Sequence, residues 1–80
     1  MASYQIGLLE KIDELAGLVA DEAPALLADV DTIRAYVEVS DFALAKQETD
    51  LLITKLTAGP AQGSAQELTD LYVNTQIVVL

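Results

Sequence analysis

The chain has 80 residues, of which 52% are hydrophobic, and thirteen acidic residues outnumber four basic ones to give a net charge of −9. So few lysines and arginines cannot neutralise a nucleic-acid backbone, and the negative charge opposes binding to anionic membrane surfaces. The absence of cysteine excludes disulfides, thiolate catalysis and cysteine–zinc sites. A composition rich in leucine and alanine, with three tyrosines and one phenylalanine as its aromatic residues, favours an all-α fold.

The first predicted element is an amphipathic helix from about Ser3 to Ala20. Its apolar residues recur at intervals of three and four, which places them on one helical face. They are Leu8, Leu9, Ile12, Leu15, Ala16 and Val19. Gly7 and Gly17 each cost about 1 kcal/mol relative to alanine within a helix, so we interpret them as possible points of close helix approach.

The second predicted helix begins around Pro24, because the first turn of a helix has spare amide donors and tolerates proline. Asp21 is the predicted cap of that turn, and Glu22 suits the positive end of the helix dipole. The apolar stripe then repeats the spacing of the first helix, with Leu26, Leu27, Val30, Ile33 and Val37. The β-prone residues 35–39 leave a short extended piece as the alternative at this point.

Ser40 or Asp41 is predicted to cap a third helix, whose apolar stripe steps by three and four residues. The stripe contains Phe42, Ala45, Thr49, Leu52 and Leu56. We expect Gly59 to adopt the left-handed conformation that ends many helices, and Pro60 to prevent continuation.

Ser64 and Glu67 match a capping box, which predicts that a fourth helix starts near Ala65. Beyond Tyr72 the β-branched residues suit a helix or a strand equally. The sequence therefore predicts one domain, residues 1–80, folded as a small all-α bundle of about four short helices. A helical domain with a short C-terminal β-strand is the alternative.

The chain lacks the residues that common catalytic and metal sites require. Without histidine or cysteine, neither serine nor cysteine triads can form. A calcium loop read from Asp29 fails, because its sixth and twelfth positions hold Arg34 and Ser40 instead of glycine and glutamate. We predict no enzymatic activity, no catalytic residue, no cofactor and no metal site.

The last ten residues carry no charged side chain, and the chain stops on an apolar run. The mean hydropathy of +0.37 is high for a small protein, which suggests that another chain covers part of the apolar surface. We predict that the C-terminal segment binds a partner through Tyr72, Ile77, Val78, Val79 and Leu80. The alternatives are that these residues complete the fourth helix and fill the chain's own core, or that they are disordered.

A second candidate surface is acidic. Glu10, Asp13, Glu14 and Asp21 are near one another along the first helix, with Lys11 the nearest base. Such a stripe can oppose a basic protein surface and select the partner. The alternative is that these residues form a solvated outer helix face with no binding role.

The function expected from the sequence is that of a non-enzymatic structural or assembly subunit in a homo-oligomer or larger particle, with a bacteriophage virion as one setting. The alternative is a small acidic inhibitor, immunity or antitoxin-like protein that binds a basic site on a partner protein. Partners are expected to be proteins, with no nucleic acid and no membrane. No secretory signal or bilayer-spanning run is evident. We therefore expect the cytoplasm, or incorporation in a particle such as a virion.

Overall fold

The structure is a computed structural model, and it describes residues 2–75. Within that range the chain forms four α-helices: α1 (Ser3–Glu22), α2 (Leu27–Glu38), α3 (Phe42–Lys55) and α4 (Pro60–Asn74). A 3₁₀ turn, Pro24–Leu26, joins α1 to α2. The predicted helical bundle is confirmed. The alternative was a short C-terminal strand. Residues 71–75 contain no strand, and residues 76–80 lie outside the described residues.

Each helix runs antiparallel to the next, because the start of one contacts the end of its neighbour. Four side-chain contacts show this direction: Gln5 with Val37, Lys55 with Asp29, Glu22 with Ala61, and Gln62 with Ile53. Contacts between α1 and α4 close the ring. The result is an up-and-down four-helix bundle with short connections.

The core consists of the apolar stripes that the sequence predicts. Leu8, Ile12, Leu15 and Val19 of α1 are buried, and the same holds for the central stripe residues of the other three helices. Tyr72 is fully buried among them. Each fully buried Val, Leu or Ile stabilises the fold by about 1.5–3 kcal/mol, so the stripes supply most of the bundle's cohesion.

The turn between α2 and α3 combines two capping devices. Ser40 adopts a left-handed φ of 61°, and the Asp41 amide donates to the Tyr36 carbonyl at 2.9 Å, as in a Schellman motif. The Asp41 carboxylate then accepts a hydrogen bond from the Leu44 amide at 3.3 Å and caps α3. Of the two predicted caps, Asp41 is therefore the one used. The Gln5 side-chain amide donates to Ser40 Oγ at 2.9 Å, which ties α1 to this turn.

The predicted start of the fourth helix is wrong by five residues. The helix begins at Pro60, which occupies its first turn, and Gly59 is extended, with no left-handed φ. Ser64 therefore lies inside α4, where its Oγ is buried without a hydrogen-bond partner in the described residues. Glu67 contacts Lys11 and caps nothing. Proline has a preset φ and no amide hydrogen, which favours it in the first turn and overrides the weaker serine–glutamate signal.

The end of α1 also departs from the prediction. The helix continues to Glu22, and the expected cap of the next helix, Asp21, accepts no capping hydrogen bond. The Glu22 carboxylate instead accepts a hydrogen bond from the Ala61 amide at 3.0 Å, in the first turn of α4. A Cβ on Gly59 would lie 3.0 Å from Glu22 Oε1. Glycine at position 59 therefore leaves room for the carboxylate that caps α4.

Replacing Glu22 with alanine is expected to lower the free energy of unfolding by about 1 kcal/mol, because the amide of Ala61 in the first turn of α4 loses its acceptor. Asp21→Ala is the matched control, since Asp21 is its exposed neighbour on the same helix. Urea denaturation followed by circular dichroism measures both. Equal losses for the two variants would show that Glu22 does not act as a cap.

Candidate partner-binding surfaces

Tyr72 is the one residue of the predicted C-terminal partner site that lies within the described range, and it is fully buried. Thr49 Oγ1 donates its proton to the Ala45 carbonyl at 2.7 Å, so the Tyr72 hydroxyl donates to Thr49 across 3.3 Å. Burial raises the pKa of Tyr72 to about 12. Its side chain therefore packs within the chain's own core and exposes no surface to a partner. Ile77, Val78, Val79 and Leu80 lie outside the described residues.

The four residues of the predicted acidic surface are all exposed on α1, but two of them are paired. Asp13 contacts Arg34 of α2, and Glu14 contacts Lys11 at 3.2 Å. Glu10 and Asp21 form no ion pair within residues 2–75. The unpaired part of this surface therefore consists of two carboxylates at separate points along the helix.

The glycines of α1 do not mark close approach within the bundle. A Cβ added at Gly7 or Gly17 would meet no atom within 4 Å. Both residues lie on the exposed side of the helix. The predicted close contact between helices at these positions is therefore absent from the described part of the chain.

All four basic side chains are engaged in ion pairs with the chain's own carboxylates. The pairs are Lys11 with Glu14 and Glu67, Arg34 with Asp13, Lys46 with Asp50, and Lys55 with Asp29. The hydrogen bond from Lys11 to Glu67 raises the pKa of that lysine. Solvent-exposed pairs of this kind contribute at most about 1 kcal/mol each. Their larger effect is on the surface, where the remaining carboxylates have no cation among the described residues. Glu22 and Asp41 accept hydrogen bonds from helix amides, and the others are Glu10, Asp21, Asp31, Glu38, Glu48 and Asp70.

Exposed apolar side chains gather at one end of the bundle. Among residues 2–75 the exposed large hydrophobic residues are Tyr4, Ile6, Val39, Leu44, Leu51 and Val73. All except Leu51 lie where α1 begins, α2 turns into α3, and α4 finishes. We call this end of the bundle the apolar end. The Tyr4 ring packs edge-on against Phe42 there, with 5.7 Å between ring centroids. The last described residues, Asn74 and Thr75, also lie at this end of the bundle.

A second apolar surface, which the sequence reasoning missed, runs along α2 and α3. Leu44 is 39% exposed and Leu51 is 46% exposed, and their seven-residue spacing places them on one face of α3. Val39 is 72% exposed, and Tyr36 is half-buried. The α2–α3 face is defined here as Tyr36, Val39, Leu44, Glu48 and Leu51.

The register of the two helices brings these residues together. Lys55 Nζ lies 3.0 Å from Asp29 Oδ2, where α3 meets α2. Tyr36 follows Asp29 by seven residues and Glu48 precedes Lys55 by seven, so both lie on the sides of their helices that meet there. The sequence contained a signal for this surface. Leu44 and Leu51 fall outside the core stripe of the third helix but keep a helical spacing of their own.

No helix in residues 2–75 is both long enough and apolar enough to cross a bilayer. In the same range, no three side chains of the metal-ligating types His, Cys, Asp and Glu come together. Comparisons with protein-family models, with curated proteins and with solved structures find no match for this chain.

Proposed function

We propose that this chain is a non-enzymatic assembly subunit. It packs through apolar helix faces and its C-terminal segment into a homo-oligomer or a larger particle, such as a virion. The observation that supports this proposal is the position of the exposed apolar side chains. Tyr4, Val39 and Val73 lie at the apolar end of the bundle, where α4 leads into Ile77–Leu80. Exposed apolar residues concentrated in one place are typical of protein-binding surfaces.

The energy of association favours several such residues acting together. Association costs an estimated 4–15 kcal/mol of translational and rotational freedom, whereas one fully buried Val, Leu or Ile contributes about 1.5–3 kcal/mol. Burial of the four residues of Ile77–Leu80 contributes about 6–12 kcal/mol, which lies within the range of this cost. Val39 or Val73 alone contributes less than the lower end of the cost, about 4 kcal/mol, so it can only add to the contribution of the segment. The C-terminal segment and the apolar end are therefore proposed to form one interface.

Removal of residues 76–80 tests the proposal. The truncated chain retains all four helices, since α4 ends at Asn74, so it is expected to keep the helical circular dichroism signal. For the full chain, light scattering is expected to give a mass several times 8.5 kDa, or centrifugation is expected to show that the chain co-sediments with a particle. The truncated chain is expected to remain a monomer.

A point variant separates the segment from the patch. Val73→Asp keeps the C-terminal segment but places a charge on the exposed apolar end, where Val73 is 54% exposed, and is expected to weaken assembly as well. Gln66→Glu, at an exposed position in the middle of the same helix, adds the same charge away from the apolar end and is the control. If the full chain is a monomer that co-sediments with nothing from its source, the proposal is wrong.

The alternative function, an acidic inhibitor or immunity or antitoxin-like protein, is supported by the ion pairs. All four bases are paired internally, so the carboxylates left over can oppose a basic site on a partner. Glu10→Lys and Asp21→Lys reverse charge without breaking an internal pair. If this alternative holds, the wild-type chain is monomeric, and the doubly reversed variant captures less of its partner from the source.

A further inference from the structure

The α2–α3 face has a half-buried carboxylate at its centre. Glu48 follows Leu44 by four residues and precedes Leu51 by three, so all three side chains share one face of α3. Glu48 forms neither an ion pair nor a hydrogen bond with any described residue, although Lys46 and Lys55 belong to the same helix. An apolar surface with an unpaired anion in its middle is complementary to an apolar surface that carries a cation.

The dimensions of the face suit a helix. Leu44 and Leu51 are separated by seven residues, or about 10 Å along a helix axis, which corresponds to two turns. Tyr36 and Val39 widen the face on the α2 side. A partner helix presents apolar anchors at i, i+3 or i+4 and i+7, which cover the same length.

Charge argues against a second copy of this chain as the occupant of the face. Every lysine and arginine already has a carboxylate partner within the chain, so a second copy offers no unpaired cation to Glu48. Each copy also carries a net charge of −9, and close approach of two such faces brings two copies of Glu48 near each other. A cation from a different protein can pair with Glu48 without breaking one of these internal pairs.

We propose that the α2–α3 face binds a basic amphipathic helix of a partner protein. Its apolar side contacts Leu44, Leu51 and Val39, and a lysine or arginine pairs with Glu48. This inference rests on the proposed function and names the chemistry of one partner in the larger particle. The α2–α3 face shares Val39 and Leu44 with the apolar end, so the test uses Glu48 and Leu51, which belong to the α2–α3 face alone.

The probe is a synthetic helical peptide with leucines at i, i+4 and i+7 and lysines flanking them, bound to the full chain and followed by fluorescence anisotropy. Leu51→Ala and Glu48→Gln are each expected to weaken binding about tenfold, the loss typical of a central interface residue. Glu10→Gln is the matched control, because it removes the same charge from the outer side of α1. It is expected to change the affinity less than about twofold.

Several outcomes would overturn the inference. Equal losses of affinity for Glu48→Gln and Glu10→Gln would mean that the peptide responds to the net charge of the chain and not to the position of Glu48. Unchanged binding to Leu51→Ala, or equal affinity for a peptide with glutamates in place of the lysines, would show that the face is not used in this way. A loss of self-association in Leu51→Ala would mean that a second copy covers the face. Assembly through residues 76–80 is measured independently, by light scattering of the chain without the peptide.

Discussion

Leu52→Ala is expected to lower the free energy of unfolding by about 3 kcal/mol, within the range measured for truncating buried leucines. Leu52 is 1% exposed and faces the centre of the bundle from α3. The variant loses the transfer free energy of the removed atoms and leaves a cavity that the surrounding helices fill only in part. In a domain of this size the change corresponds to a fall in melting temperature of about 15 °C.

The adjacent leucine supplies the control. Leu51 is 46% exposed, so Leu51→Ala is expected to cost less than about 1 kcal/mol. Both variants change the same residue type in the same helix, and thermal unfolding followed by circular dichroism compares them directly. Similar costs for the two would contradict the burial pattern of α3. A small cost for Leu51→Ala is also required for its use in the peptide experiment.

Raising the pH from 9 to 11 is expected to destabilise the wild type more than Tyr72→Phe, by about 1.4 kcal/mol. The pKa of Tyr72 is about 12 in the folded protein and about 10 when the chain unfolds, because burial disfavours the phenolate. Between these values the unfolded chain releases the proton more readily than the folded one, so stability falls as the pH rises. The whole contribution, about 3 kcal/mol, is present below pH 10 and is lost once the pH exceeds 12.

Tyr72→Phe isolates this residue, because every other ionisable group is present in both proteins. At pH 7 the variant loses one hydrogen bond to Thr49, which costs about 1 kcal/mol, and Thr49 still donates to Ala45. Urea denaturation at pH 9 and pH 11 gives the four free energies required. Parallel losses in the two proteins would show that the Tyr72 hydroxyl is not buried.

The core was predictable from the sequence because helical periodicity is a local signal. The spacing of Leu8, Ile12, Leu15 and Val19 alone identifies the buried side of α1. The cap at Asp41 was predictable for the same reason, since its acceptor and the Leu44 amide are three residues apart. In both cases the residues that interact are close in the sequence.

The predictions failed where the structure depends on contacts between residues that are far apart in the sequence. Glu22 and Ala61 are 39 positions apart, and nothing near either residue indicates that the carboxylate caps α4. The burial of Tyr72 depends on Thr49 of another helix, so its assignment to a partner surface could not be checked locally. Predicting the α2–α3 face required the antiparallel contact between α2 and α3, which the pair of Asp29 with Lys55 shows.

The two proposed contacts respond to ionic strength in opposite directions. One brings together copies of the same charge, and the other pairs Glu48, which has no cation of its own in the described part of the chain, with a cation of the partner. At low salt, copies of a chain with a net charge of −9 repel one another, and ions weaken that repulsion because the screening length falls to about 10 Å at 0.1 M. Contact between copies through apolar side chains therefore becomes easier as salt is added. The attraction of a cationic helix to Glu48 becomes weaker under the same change. Where both contacts exist, the salt concentration would therefore set their relative strength.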